Sequence, residues 1–220
     1  IPEWAFMIRV LGPVDVVTTD GGVVDFERAK SLELLTWLVL HRRTATREAA
    51  RAALWEGEVR NASFANVLSA VRRALQRGAA TSGHHEWVGR GPGERLTLHG
   101  AVTSDVDVFE DGLARADAAL RGSGDRYAAA LSLREALELV RGAPFIGSGF
   151  GWADTEAMTS RCTLMVIEAA LRLGELELSV LNVEGAFWAS TIGLTVLPGH
   201  EELIGLRLRT HHAHGDVTGV

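Results

Sequence analysis

The sequence predicts an α+β N-terminal winged helix-turn-helix followed by an all-α, tetratricopeptide-like helical repeat domain. Three observations carry this. The first 27 residues show short alternating runs broken by turn residues, and from Arg28 the spacing becomes helical. A Gly-Pro-Gly turn sits between two short β-rich runs near residues 85–100. From Ser104 onward the pattern is helical throughout, split by Gly and Pro.

The elements follow in order. "FMIRVLGPVDVVTTDGGVVDF" reads as hairpin-linked strands separated by Gly-Pro and Asp-Gly-Gly. "AKSLELLTWLVLH" reads as a largely buried helix with Leu32, Leu35, Leu38 and Val39 on its inner side. "TREAARAALW" is the next helix, with Thr46 at its N-cap. The third, "RNASFANVLSAVRRALQRG", is predicted to be capped by Asn61. Its Phe64, Val67, Leu68, Val71 and Leu75 recur three or four apart and form a buried stripe. "HEWVGRGPGERLTLHG" then reads as strand, turn, strand. Strands, three helices and a hairpin make a winged helix-turn-helix over residues 1–100, whose third helix would lie in a major groove.

Beyond it, residues 104–220 divide into amphipathic segments. These are "DVFEDGLARADAAL", "DRYAAALSLREALELVRG", "WADTEAMTSRCTLMVIEAALRLGE", "VEGAFWASTIGLTVLP" and "HEELIGLRLRTHHAHGD". Small residues (Ala128 and Ala129; Ala186 and Ala189) and a helix-ending Pro198 indicate tetratricopeptide-like hairpins with an imperfect repeat. The intervening "GAPFIGSGFG", residues 142–151, is expected to be an ordered loop packed by Phe145 and Phe150.

Composition bounds the function. At 220 residues and 47% hydrophobic content the chain can bury a core of one large or two small domains. The longest apolar run, Leu32 to Leu40, is interrupted by Glu33 and Thr36, so no segment reads as membrane-spanning and no membrane contact is expected. A single cysteine, Cys162, excludes an internal disulfide framework and fits a reducing, cytoplasmic setting. Twenty-one of the 22 basic residues are arginine, as in a GC-rich genome. From its opening Ile-Pro-Glu-Trp and closing Gly-Val the chain is expected to be a piece of a longer protein.

The net charge of −6 hides an asymmetry. Residues 1–100 carry 13 basic against 11 acidic side chains, or +2, and residues 101–220 carry 9 against 17, or −8. A mildly basic front and an acidic back fit two domains.

An ordered set of segments carries a family likeness: "IRVLGPVDV", "LLTWLVLHR", "AARAALWEG", "LSAVRRAL", "DVDVFE", "AALSLREALELVRGAPF", "WADTEAMTSRC" and "VLPGHEELIGLRLRTHHAHGD". The chain resembles the Streptomyces antibiotic regulatory protein (SARP) family, an OmpR-type winged helix followed by a bacterial transcriptional activator domain. The resemblance covers essentially the whole chain. It implies a regulator that binds double-stranded promoter DNA, often as a homodimer, and helps recruit RNA polymerase or another protein through its helical domain.

The third helix would supply the reading face. Asn66, Ser69 and Arg73 are placed to reach base edges, while Arg72, Arg77, Arg90 and Arg95 would hold phosphates. The kit departs from the family pattern, because Ser69 and Ala70 stand where basic mid-helix residues are usual. Ala62 and Ala65 flank Asn66 on the outward face.

Other signals read as structure. "GRGPG" and "GSGFG" match neither G-x-G-x-x-G between strand and helix nor the Walker pattern, and are turns. "HEELI" lacks the second His of a zincin, and "HHAH" (His211, His212, His214) has no Cys or carboxylate at ligand spacing. Trp37, Trp55, Trp152 and Trp188 fall at apolar helix positions, with Trp152 also placed to edge a groove, and Cys162 reads as core. No acid–base pair or triad is present, so neither catalysis nor a cofactor or metal is expected. Two competing readings are a signalling or scaffold module that keeps the fold without binding DNA, and a small-ligand sensor using the concave side of the repeats.

Overall fold

The computed structural model describes residues 4–57, 60–79 and 85–214; the first three and last six residues noted above, and the side chain of His214, lie outside them. The chain is mixed α/β and mostly helical, and it divides into two compact units that are discontinuous in sequence. Unit 1 is Ile1–Val10, Val14–Asp105 and Gly147–Glu156. Unit 2 is Leu11–Pro13, Val106–Ile146 and Ala157–Val220.

Unit 1 is built on a three-stranded sheet in which residues 6–9 lie between residues 15–18 and residues 102–104. Strands β1 (Phe6–Arg9) and β2 (Asp15–Thr18) pair antiparallel, from Phe6 opposite Thr18 to Arg9 opposite Asp15. The Arg9–Asp15 ion pair at 2.6 Å closes the end of this pairing. The third β-rich run expected after the Asp-Gly-Gly turn shrinks to an isolated bridge of Val23 to Val17. Its place on the other side of β1 is taken by β5 (Val102–Ser104), which runs parallel to β1 from Phe6 opposite Val102. Buried Asp105 accepts the Val10 amide at 2.8 and 2.9 Å on its two carboxylate oxygens, so the backbone leaving β1 stays satisfied.

Three helices follow: α1 (Ala29–Leu40), α2 (Arg47–Leu54) and α3 (Asn61–Gly78). Helix α1 is buried nearly all round, and Leu34 lies fully inside where the expected Leu32 is only half-buried. The Thr46 side chain accepts the Ala49 amide at 3.1 Å, an N-cap for α2. Asn61, in contrast, does not cap α3. It is the first helical residue, and the cap position falls to Arg60 with no side-chain bond. The α3 stripe Phe64, Val67, Leu68, Val71 and Leu75 is buried, with Ala70 and Ala74 beside it. At the end of α3, a Cβ on Gly78 would sit 2.9 Å from a Phe6 ring carbon, so glycine allows the sheet to approach.

The hairpin β3 (Val88–Arg90) and β4 (Leu96–Leu98) is antiparallel, with Gly93 and Glu94 both at positive φ in its tip. It is fastened to the start of α2. Thr46 bridges Arg95, the Arg47 amide donates to Glu94 O at 3.0 Å, and the Leu96 amide donates to Ala45 O at 3.0 Å.

Residues 147–156 also belong to unit 1 and carry the short helix α6 (Gly151–Thr155). Trp152, far from edging a groove, is only 3% exposed. His41 at the end of α1 is packed between Trp37 (stacked, 4.4 Å) and Trp152 (edge-on, 5.9 Å) and contacts Glu156 at 2.8 Å.

Unit 2 is helical: most of α4 (Asp105–Gly122), then α5 (Arg126–Leu137), α7 (Met158–Ser179), α8 (Val183–Val196) and α9 (Glu201–His214). The single helical run expected over 152–175 is instead two helices, because Ala157 adopts positive φ between α6 and α7. Asp125 and Asn182 cap α5 and α8. Helix α7 packs along α8, and α8 along α9. Gly174 faces Leu206, and Gly193 faces Leu203 and Ala170, so these crossings close on glycine, and Ala129, Ala186 and Ala189 are fully buried. Phe145 in unit 2 and Phe150 in unit 1 are both buried within the ordered loop. Cys162 is fully buried. Among the described residues, no helix is long and apolar enough to cross a membrane, and no three His, Cys, Asp or Glu side chains are placed to hold a metal ion.

Candidate nucleic-acid interface

With the apolar stripe of α3 turned inward, a helical repeat of 3.6 residues places Ala62, Ala65, Asn66, Ser69, Arg73 and Gln76 on one opposite face. Asn66 and Arg73 are exposed, and Ala65, Ser69 and Gln76 are half-buried. This face is narrow in chemistry: two methyl groups, one amide, one hydroxyl, one guanidinium and a second amide.

Beside its N-terminal half lies a groove of about 620 Å³ lined by Arg47, Arg51, Asn61, Ala62, Ala65, Arg90 and Glu94, with Phe64 below. Three elements meet there. Helix α2 supplies Arg47 and Arg51, α3 supplies the alanines and Asn61, and the hairpin supplies Arg90 and Glu94. Arg47 lies over the Phe64 ring at 5.4 Å from its centroid, and its guanidinium stands 3.8 Å from the Glu94 carboxylate. Arg51 donates to the Asn61 side-chain oxygen at 2.7 Å. Three guanidinium groups against one carboxylate leave the groove cationic.

The remaining arginines expected to hold phosphates are employed within the unit. Arg72 donates through Nε to Val88 O at 2.8 Å and so ties α3 to β3. Arg77 pairs with Glu27 at 3.0 Å, and Arg95 donates to Arg43 O. Arg90 is exposed on the groove, and Arg73 lies a few turns along α3 beside a cleft shared with Gln76, His85 and Trp87. Arg47 and Arg51, which line the groove, are not among the residues the sequence singles out. Their spacing of four residues on a short helix with an N-cap was the available sign, because i and i+4 share a helix face.

No family model matches the chain, and no curated protein is similar to it in sequence. Among solved structures, Mycobacterium tuberculosis EmbR, in complex with low affinity phosphopeptide, has a similar fold, with a TM-score of 0.70 and 21% identity. The likeness covers 96% of this chain and 56% of that one, so the chain spans little more than half of the EmbR chain. At this identity the likeness is one of fold alone.

Proposed function

We propose that the chain is a DNA-binding transcriptional regulator of SARP type. In this reading residues 1–100 form the winged helix-turn-helix and residues 104–220 the tetratricopeptide-like activator domain, working in the cytoplasm. The observation that carries it is the cationic groove where α2, α3 and the hairpin meet around the small outer face of α3. That is the layout a winged helix needs, with base edges against the N-terminal turns of the third helix and phosphates against flanking cations. The fold shared with EmbR supports regulation as the role. Arg47, Arg51 and Arg90 take the phosphates, and Asn66, Ser69 and Arg73 face the bases. Arg72, Arg77 and Arg95 hold the scaffold in shape.

The helical domain contacts RNA polymerase or another protein, and a homodimer would place two such helices on repeated half-sites. Its α7–α8 turn offers partners an apolar surface: Val180 and Leu181 are exposed there, and Leu181 is held at positive φ.

The test uses duplexes selected from a random pool by the intact chain. Bidentate base contacts are worth about 1–3 kcal/mol, so Arg73→Ala is expected to weaken selected duplexes roughly five- to a hundredfold in gel-shift titrations, with little effect on random ones. Failure to select or shift any duplex at low salt would instead favour the scaffold reading, in which the fold is kept without DNA binding.

A further inference from the structure

Building on that DNA reading, we infer that the N-terminal half of α3 recognises A·T pairs, with Ala62 and Ala65 seated against thymine methyl groups. Recognition helices meet base edges with their N-terminal residues. Here those residues are Ala62 and Ala65, which line the groove between Arg47, Arg51 and Arg90. Thymine alone among the four bases carries a methyl group in the major groove, and an alanine side chain meets it by apolar contact. Guanine is read by Arg or Lys, and cytosine by a carboxylate.

The outer face of α3 has neither group near the alanines. Its first cation is Arg73, eight residues beyond Ala65 and so about 12 Å farther along the axis. Arg72 points elsewhere and is bonded to Val88 O. Asn66, exposed on the same face, carries a side-chain amide of the kind that pairs bidentately with adenine N6 and N7, whereas the Asn61 amide oxygen already accepts from Arg51. The rim arginines carry no sequence information, since phosphates are common to every duplex. A face of two methyls and an amide therefore addresses thymine and adenine. The lack of cations in these N-terminal turns is the expected composition of a segment that does not read guanine, which leaves any guanine in the site to Arg73 farther along the helix.

The direct test compares three duplex polymers against the intact chain by competition anisotropy at one low salt concentration: poly(dA-dT), poly(dA-dU) and poly(dG-dC). Uracil differs from thymine only in lacking the methyl. Poly(dA-dT) should bind tightest, poly(dA-dU) about fourfold more weakly for each methyl buried, and poly(dG-dC) more weakly still. A double variant, Ala62→Ser with Ala65→Ser, should keep its melting temperature and lose the preference for dA-dT over dA-dU. Equal affinity of the unaltered chain for poly(dA-dT) and poly(dA-dU) overturns methyl reading while leaving DNA binding intact. So does a double variant that keeps the full preference. Absence of binding to all three polymers overturns this inference and the DNA reading together.

Discussion

Arginine is used differently in the two units. In unit 2 most arginines face carboxylates: Arg115 meets Glu135 at 2.9 Å, Arg134 meets Glu177 at 2.7 Å, and Arg161, Arg172 and Arg209 meet Glu110, Asp117 and Glu175. Around the groove of unit 1 the pattern reverses. Arg90 has no ion-pair partner among the described residues, nor has Arg73 farther along α3, and Arg47 stands 3.8 Å from the Glu94 carboxylate. The sequence halves differ by charge count, yet the count understates the contrast. The acidic half spends most of its cations internally, whereas the nearly balanced front half leaves Arg90 exposed on the groove and Arg73 exposed on α3. Pairing, more than net charge, marks where an external anion would be accepted.

The strongest way to sharpen this contrast is to break a pair in unit 2. Glu177 is 8% exposed and is held by Arg134 and by Asn182 at 2.7 Å. Arg134 also lies over the Trp188 ring at 4.9 Å. Arg134→Ala leaves a buried carboxylate short of its cation, which in a closed site costs 3–5 kcal/mol. With Arg134 itself about a third exposed, the expected loss is about 2–3 kcal/mol in urea unfolding, with DNA affinity unchanged.

Next in size is the groove. Arg47→Ala and Arg90→Ala should each weaken every duplex roughly five- to tenfold at 0.1 M salt, as the loss of one solvent-exposed charged contact does. Arg115→Ala, which removes a surface pair of unit 2, should leave binding unaltered and stability within about 0.5 kcal/mol. Equal effects of Arg90→Ala and Arg115→Ala would erase the distinction between the units.

Much of this architecture was legible in the sequence, for reasons that are local. The α3 stripe and the Thr46 cap depend on residues within a turn or two, and so does the Gly-Pro-Gly hairpin. What escaped is non-local. Strand β5 is three residues long, too short to show alternation, and it pairs with β1 across nearly a hundred residues. Residues 147–156 join unit 1 through Trp152 and Glu156, whose partners Trp37 and His41 lie more than a hundred residues earlier. On α3, helical phase alone places Asn66 and Arg73 on the exposed face. The acceptors of Arg72 and Arg77, Val88 O and Glu27, come from other elements and are not legible from the helix itself. Phase shows which way a side chain leaves a helix, not what is waiting for it.

Thr46→Ala should cost about 1 kcal/mol through the lost cap. It should also weaken DNA binding, since Thr46 and its neighbours carry the hairpin's attachment to α2. Thermal melts paired with anisotropy titrations would read both effects. The smallest expected effect lies far from the groove. Hydrogen bonds from the Thr18 hydroxyl and then the Gly22 amide lower the pKa of Asp20 from its ordinary value. A carboxylate depressed in the folded state stabilises above its unfolded pKa, about 3.9, and that contribution fades as pH falls through the folded value. Asp20→Asn should therefore remove a slight acid-side dependence of stability and leave neutral-pH affinity alone.

The groove account is tested most directly by the slope of log K against log salt for a random-sequence duplex. Each phosphate neutralised contributes about −0.9 to that slope. With Arg47, Arg51 and Arg90 engaged, the intact chain should give a slope of about −3, and Arg90→Ala should make it shallower by about 1. An unchanged slope in Arg90→Ala, or no measurable binding at 50 mM salt, would contradict the assignment of this groove to DNA.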